Sequence, residues 1–299
     1  MTRKTTTFFV IFSLSLLVLA QVGAQQQSEY VLLLQGPTWN HSVITILVTP
    51  QYDAPWWNLG YLNSTLRAID QWNEGLSYFA SNYSEFAYLS QVMLVPEVAN
   101  STNGSFDAYI SWVERFNGQS CEAGLTQTTY DYLNTISNST ITFSAYDCRG
   151  DVLSEVDMQN VAIHELGHCL GLGHANYTGD LMYFAYTLGS PVRAVSTLDA
   201  YGVGTVFRWM AYSQEFSSDN QGAPIYSVTL PSNIPFQYLP ISAKNRPPSS
   251  AIEQVVTFLN ELAQVVSQPE AVVLVLLAVG TVAAYVTTTR VRRKCVYSE

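Results

Sequence analysis

Histidine and positive charge are both scarce in this 299-residue sequence. It holds four histidines, and Lys and Arg together number 13 against 23 Asp and Glu. Six of the basic residues (Arg3, Lys4, Arg290, Arg292, Arg293 and Lys294) sit at the two ends. The stretch from Gln25 to Pro269 keeps seven basic and 21 acidic side chains, a net charge of about −14. A surface of that sign does not neutralise phosphates, which excludes nucleic acid as a partner. It favours solubility and repels acidic partners. No internal repeat is visible, and the length suits one large core or two smaller ones.

What is present begins with two apolar ends. The sequence opens "MTRKTTTFFVIFSLSLLVLAQVGAQ", with a basic start, a short apolar run over Phe8–Leu19, and small residues Val22 and Ala24 before a cut after Ala24. Residues 1–24 read as a secretory signal peptide; the run is too short for a comfortable uncleaved anchor. Near the other end, Ala271–Thr289 is about one bilayer long and uncharged, and it is followed directly by Arg290, Arg292, Arg293 and Lys294. The expectation is a single transmembrane helix over 270–289, with the tail 290–299 in the cytoplasm and everything before the span outside. The protein would then sit in the cell membrane and have the lipid bilayer as a partner.

Export frames the cysteines and asparagines. Cys121 and Cys148 fall outside the membrane, where disulfides persist, and are expected to pair rather than stay as two thiols. Cys295 falls in the tail. Seven N-x-[ST] sequons, at Asn40, Asn63, Asn82, Asn100, Asn103, Asn138 and Asn176, are candidate glycosylation sites.

Between the ends the pattern is mixed. Ser42–Val48 is rich in β-branched residues and predicts a first strand. Leu66, Ile69, Trp72, Leu76 and Phe79, at steps of three and four, predict an amphipathic helix starting near Ser64 or Thr65. "YLSQVMLVPEV", "FDAYISWVERF" and "STITFSAYDC" are further strand candidates. "STLDAYGVGTVFRWM" reads as a closing helix, capped by Ser196 with Asp199 three positions on. Residues 212–269 are rich in Pro, Ser and Asn and read as a stalk, with an amphipathic helix near 251–266. That helix could pack on the rest, self-associate, or lie on lipid.

Three of the four histidines fall in "HELGHCLGLGH", residues 164–174. On a helix, His164 and His168 are one turn apart on one face, with Glu165 at its edge. His174 cannot join them from a continuous helix. Gly171 can end the helix at positive φ and turn the chain back, which brings His174 to the same ion. Three neutral nitrogens leave a fourth tetrahedral position open, the arrangement of a catalytic zinc site rather than a structural one. Cys169 points to the apolar side of Leu166 and Leu170 and is expected to be a small buried residue, not a ligand. HExxH alone is a weak pattern. With Gly171 and His174 at this spacing, in so histidine-poor a chain, it is specific.

The run matches the metzincin signature H-E-x-x-H-x-x-G-x-x-H at every fixed position. Met182, in "GDLMYFAY" eight residues past His174, is placed like the metzincin methionine turn. The Leu-Met-Tyr run and the "STLDAYGVGTVF" helix most resemble the matrixin branch, over about Thr38–Trp209 and most closely over Val161–Phe207. That resemblance implies an α+β metzincin sandwich with a twisted mixed sheet and about three helices, as a matrixin-like zinc metallopeptidase domain over 25–211. It implies one catalytic Zn²⁺ on His164, His168 and His174, Glu165 as general base, Met182 as an apolar floor, and a protein or peptide substrate. Tyr183 is a weaker candidate for substrate or oxyanion contact. Ala175 stands where matrixins usually carry a small hydroxyl residue, and no cysteine-switch propeptide is visible. Matrixins often carry calcium, but no calcium site can be assigned to particular residues. A zinc-containing surface binding or adhesion protein without turnover is the alternative, and hydrolysis of a non-peptide amide a third reading.

Overall fold

The computed structural model describes residues 29–100, 104–116, 121–213, 215–217 and 222–247, together with the backbone of 294–296. The signal segment 1–24, the amphipathic helix near 251–266 and the span at 270–289 lie outside the described residues. Among the described residues no helix is long and apolar enough to cross a membrane.

A five-stranded sheet forms the scaffold, in the order β3-β2-β4-β6-β5. Its strands are β2 (Val43–Val48), β3 (Met93–Val98), β4 (Ala108–Val113), β5 (Gly124–Tyr130) and β6 (Ile136–Ser144). Three pairings are parallel, β2 with β3, β2 with β4 and β4 with β6; β5 alone runs antiparallel, on the edge beside β6. In β4 the period of two is plain: Ala108, Ile110 and Trp112 are buried and their neighbours are not.

Two long helices pack with the sheet. The first, α1 (Leu59–Asn82), begins some six residues before the sequence-based start at Ser64 or Thr65. Asn58 is the reason: its side chain accepts from Gly60 N, and Tyr61 and Leu62 extend the buried face by a turn. The second, α2 (Glu155–Cys169), opens on a reciprocal capping box between Ser154 and Asp157, a feature worth about 1 kcal/mol. The helices are joined by buried hydrogen bonds from Trp72 Nε1 to Ile163 O at 2.7 Å and from Ser64 Oγ to Glu155 O at 2.8 Å. The strand candidate "YLSQVMLVPEV" divides into a 3₁₀ stretch, Ser84–Gln91, and β3.

A second, three-stranded sheet has the order β7-β1-β9, with β1 (Val31–Leu34) at its centre, β7 (Leu172–Ala175) and β9 (Ser227–Thr229). The closing helix α3 (Thr197–Val206) starts at Ser196 with the capping box to Asp199. The stretch expected as a stalk packs on the body as far as residue 247. Val228, Ile234, Leu239 and Asn245 are buried, and Gln159 Nε2 donates to Asn245 O at 2.7 Å. Isolated apolar residues among prolines gave no periodic signal, so this packing is invisible to a pattern search. Finally, β8 (Ala185–Thr187) pairs antiparallel with a three-residue strand β10, Lys294–Val296.

Candidate active site

Each ring of the histidine cluster has its own positioning device. His164 and His168 sit one turn apart on α2, both buried. The helix ends at Leu170, and Gly171 takes φ 93°, a region that favours glycine. The chain turns into β7, which carries His174 back. β7 is held in turn by the antiparallel ladder to β1 and by Gln35 N donating to Gly171 O at 2.9 Å.

Orientation follows from backbone carbonyls. His164 Nδ1 lies 2.9 Å from Leu181 O, and His168 Nδ1 lies 2.8 Å from Leu172 O. A carbonyl only accepts, so each Nδ1 carries the hydrogen and each Nε2 keeps a lone pair. One nitrogen from each of His164, His168 and His174 falls within 4.8 Å of the others. Burial holds His164 well below the usual imidazole range, with the neighbouring His168 adding to it, and burial brings His168 down to about 4. Neutral imidazoles at neutral pH are the form that binds a metal. The buried His168 Nε2 has no hydrogen-bond partner within the protein. Three imidazole donors facing one point, one of them a buried nitrogen lacking a donor, fit a zinc ion.

Glu165 stands next to this cluster and outside it. Its Oε2 accepts from Thr126 Oγ1 at 2.7 Å, while its buried Oε1 has no partner within the protein. Burial pushes its carboxyl up to about 8, the Thr126 bond opposing that and Glu122 adding to it. A cation beside it acts in the opposite direction. Gly124 on β5 makes this approach feasible: a Cβ there would lie 2.6 Å from Glu165 Oε1.

Met182 is fully buried, with its sulfur against Gly167 of α2. Its backbone holds the site from below: Ala175 N donates to Met182 O at 2.9 Å, and Leu181 O receives the His164 hydrogen bond. The loop beyond is pinned to α2. Tyr186 is buried, donates to Asp157 Oδ1 and accepts from Asn160 Nδ2, and Arg193 N donates to Asn160 Oδ1. Tyr183 packs on Phe184, ring centroids 4.5 Å apart.

Residues 89–208 match the family model for matrixin. A curated relative, Metalloendoproteinase 2-MMP of Arabidopsis thaliana, is 38% identical over 52 residues, which is 17% of this chain and 14% of that protein. The chain carries a matrixin-like domain.

The other sequence-based candidates fall as follows. Cys121 and Cys148 are joined as a disulfide, and Cys169 is a buried free thiol. Asn40, Asn63, Asn82, Asn100 and Asn176 are exposed, Asn138 is half-buried on β6, and Asn103 lies outside the described residues. Asn176 is engaged: its Oδ1 accepts from Val31 N at 3.0 Å and its Nδ2 donates to Glu29 O at 2.9 Å. Thr126, Gly124, Asp157, Asn160 and Tyr186 were not legible as site residues. They reach the site through tertiary packing, and only Asp157, in its capping box with Ser154, belongs to a local motif.

Proposed function

We propose that this chain is an exported, membrane-anchored zinc endopeptidase. The carrying observation is the convergence of His164, His168 and His174 beside a buried carboxylate that is not itself a ligand. A structural zinc site is closed by four protein ligands, whereas three histidines with an adjacent base leave room for a reacting water. Zinc held there supplies Lewis-acid activation of that water and of the scissile carbonyl. Glu165 takes the proton of the attacking water and passes it to the leaving amine nitrogen, so the base is restored in each cycle. Thr126 fixes the carboxylate, and Leu181 and Leu172 fix the imidazoles. The family match at residues 89–208 supports a peptide substrate. Export and anchoring rest on the leader-like opening, the uncharged run 271–289 and the basic residues that follow it.

The test is cleavage of a mixed peptide library by the full chain, with zinc quantified in the same sample. Cleavage lost both with a chelator and in Glu165→Ala supports the peptidase. One zinc per chain with no turnover of any peptide moves the reading to a zinc-containing surface binding protein.

A further inference from the structure

We infer that Asp180 and Asp199 share a single proton, and that this proton ties the closing helix α3 to the methionine turn that orients His164. Both side chains are fully buried, and both carboxyl groups bond to the same residue, Ser196, whose Oγ donates to Asp180 and whose N donates to Asp199. The four oxygens can be followed one by one. Asp180 Oδ1 accepts from Met182 N at 2.9 Å, and Asp180 Oδ2 from Ser196 Oγ at 2.7 Å. Asp199 Oδ2 accepts from Ser196 N at 2.7 Å. Asp199 Oδ1 is buried and has no donor.

The cationic and phenolic groups nearby do not fill that gap. Arg193 Nη1 donates to the Asp180 backbone carbonyl at 3.0 Å rather than to its carboxylate. Tyr238 OH donates to Gly179 O at 2.9 Å, and Tyr177 is a further phenol beside Tyr238. Two carboxylates held on one serine, both removed from water, do not both stay ionised. A proton on Asp199 Oδ1 donating to Asp180 satisfies the orphan oxygen and removes one charge. Burial, followed by the Asp180 charge, pushes Asp199 well above the ordinary carboxylate range, and burial raises Asp180.

The consequence reaches the metal-binding ring in three bonds. Asp199 holds Asp180, Asp180 holds Met182 N, and the adjoining Leu181 O orients His164 Nδ1. The pair are positioning residues, and they act whatever substrate the site takes.

The sign of the pH effect is fixed. A carboxyl whose pKa is raised on folding holds its proton more tightly in the folded state. Its stabilisation is complete below the unfolded value near pH 4 and is lost as pH rises through the folded value. The experiment is thermal unfolding of the zinc-loaded full chain from pH 5 to pH 8, for wild type, Asp199→Asn and Asp180→Asn. An asparagine amide replaces the shared proton with a permanent N–H donor. Wild-type Tm should fall relative to either variant by about 3–5 °C per pH unit, the slope of one proton for a body of this size. Zinc release to a chelator should quicken with pH in wild type relative to either variant, the protonation of the histidines and of the chelator being common to all three. Parallel Tm curves, or a Tm that follows sodium or calcium concentration instead of pH, overturn the inference. The Glu165→Gln chain removes the other carboxyl raised among the described residues and leaves this pair intact. Its infrared spectrum at pH 7 should contain the carbonyl band of a protonated carboxyl. Absence of that band overturns the inference even if neither Asn variant folds.

Discussion

Thr126 Oγ1 donates to Glu165 Oε2 at 2.7 Å, across the gap between the edge strand β5 and the helix that carries two metal-binding histidines. The bond fixes the Glu165 carboxylate beside the cluster and ties β5 to the site. Thr126→Val keeps the β-branched shape that a strand prefers and removes only the hydroxyl. A hydrogen bond to a charged group is worth about 1.5–3 kcal/mol, so kcat on a cleaved peptide should fall about 10- to 100-fold. Zinc content should not change, because the hydroxyl of Thr126 bonds to Glu165 and not to a histidine of the cluster. An unchanged kcat would mean that Glu165 is held by its own packing alone.

The local chemistry of the site was legible where it was written in adjacent residues. His164, Glu165, His168, Gly171 and His174 lie within eleven positions, and helix periodicity plus one positive-φ glycine is enough to place them. The Ser196–Asp199 cap was legible for the same reason. Strands β1, β5, β7 and β9 were not. Each is short or polar, and its position depends on partners up to about two hundred residues away, as in the β1–β9 pairing. Thr126, Asp180 and Asn160 likewise gain their roles only when distant segments meet. The start of α1 was misjudged because the Asn58 cap precedes the periodic apolar run rather than opening it.

Metal removal should loosen the whole body. His164 and His168 come from α2 and His174 from β7, so an ion ties the helix to the small sheet. A ligand present at a thousand times its dissociation constant stabilises by about 4 kcal/mol. For a body of this size that corresponds to a Tm lower by about 8–16 °C after chelation. Recovery on adding back zinc, followed by tryptophan fluorescence, checks that the loss is the metal's. A Tm indifferent to chelator would contradict a resident ion.

The Cys121–Cys148 disulfide closes a loop with a sequence separation of 27 that contains β5 and β6. In the chain-entropy description a loop of that length is worth about 3–4 kcal/mol. Cys121→Ser with Cys148→Ser should therefore lower Tm by about 6–16 °C. The cross-link brackets the strand that bears Thr126, so kcat should fall alongside Tm. Calorimetry with parallel peptide kinetics separates this from a purely global effect.

Asn176 lies two residues past His174 and clamps the first strand from its side chain, to Val31 N and Glu29 O. Asn176→Ala should free that end of β1, at about 1–2 kcal/mol for two hydrogen bonds. Because β1 is the central strand between β7 and β9, the loss should register as faster amide exchange at Val31 and Leu33 before any global unfolding. Exchange unchanged at those amides would place the hold on β1 in its ladder alone.

Anchoring and the β8–β10 pairing exclude one another. The proposed membrane helix over 270–289 would carry residues 290–299 to the face of the bilayer opposite the matrixin-like domain, while the pairing seats Lys294–Val296 against Ala185–Thr187, directly after the methionine turn. The anchoring proposed above rests on the charge distribution. Moving Arg290, Arg292, Arg293 and Lys294 across a bilayer is opposed by the positive-inside bias, and no counter-charge lies in Ala271–Thr289. The expected outcome in intact cells is that an epitope appended after Glu299 resists external protease, while an epitope in the loop after Val98 is cut. Both epitopes should resist extraction at alkaline pH together with the membrane. A C-terminal epitope open to protease from outside would remove the anchor and leave β10 free to pair beside the site.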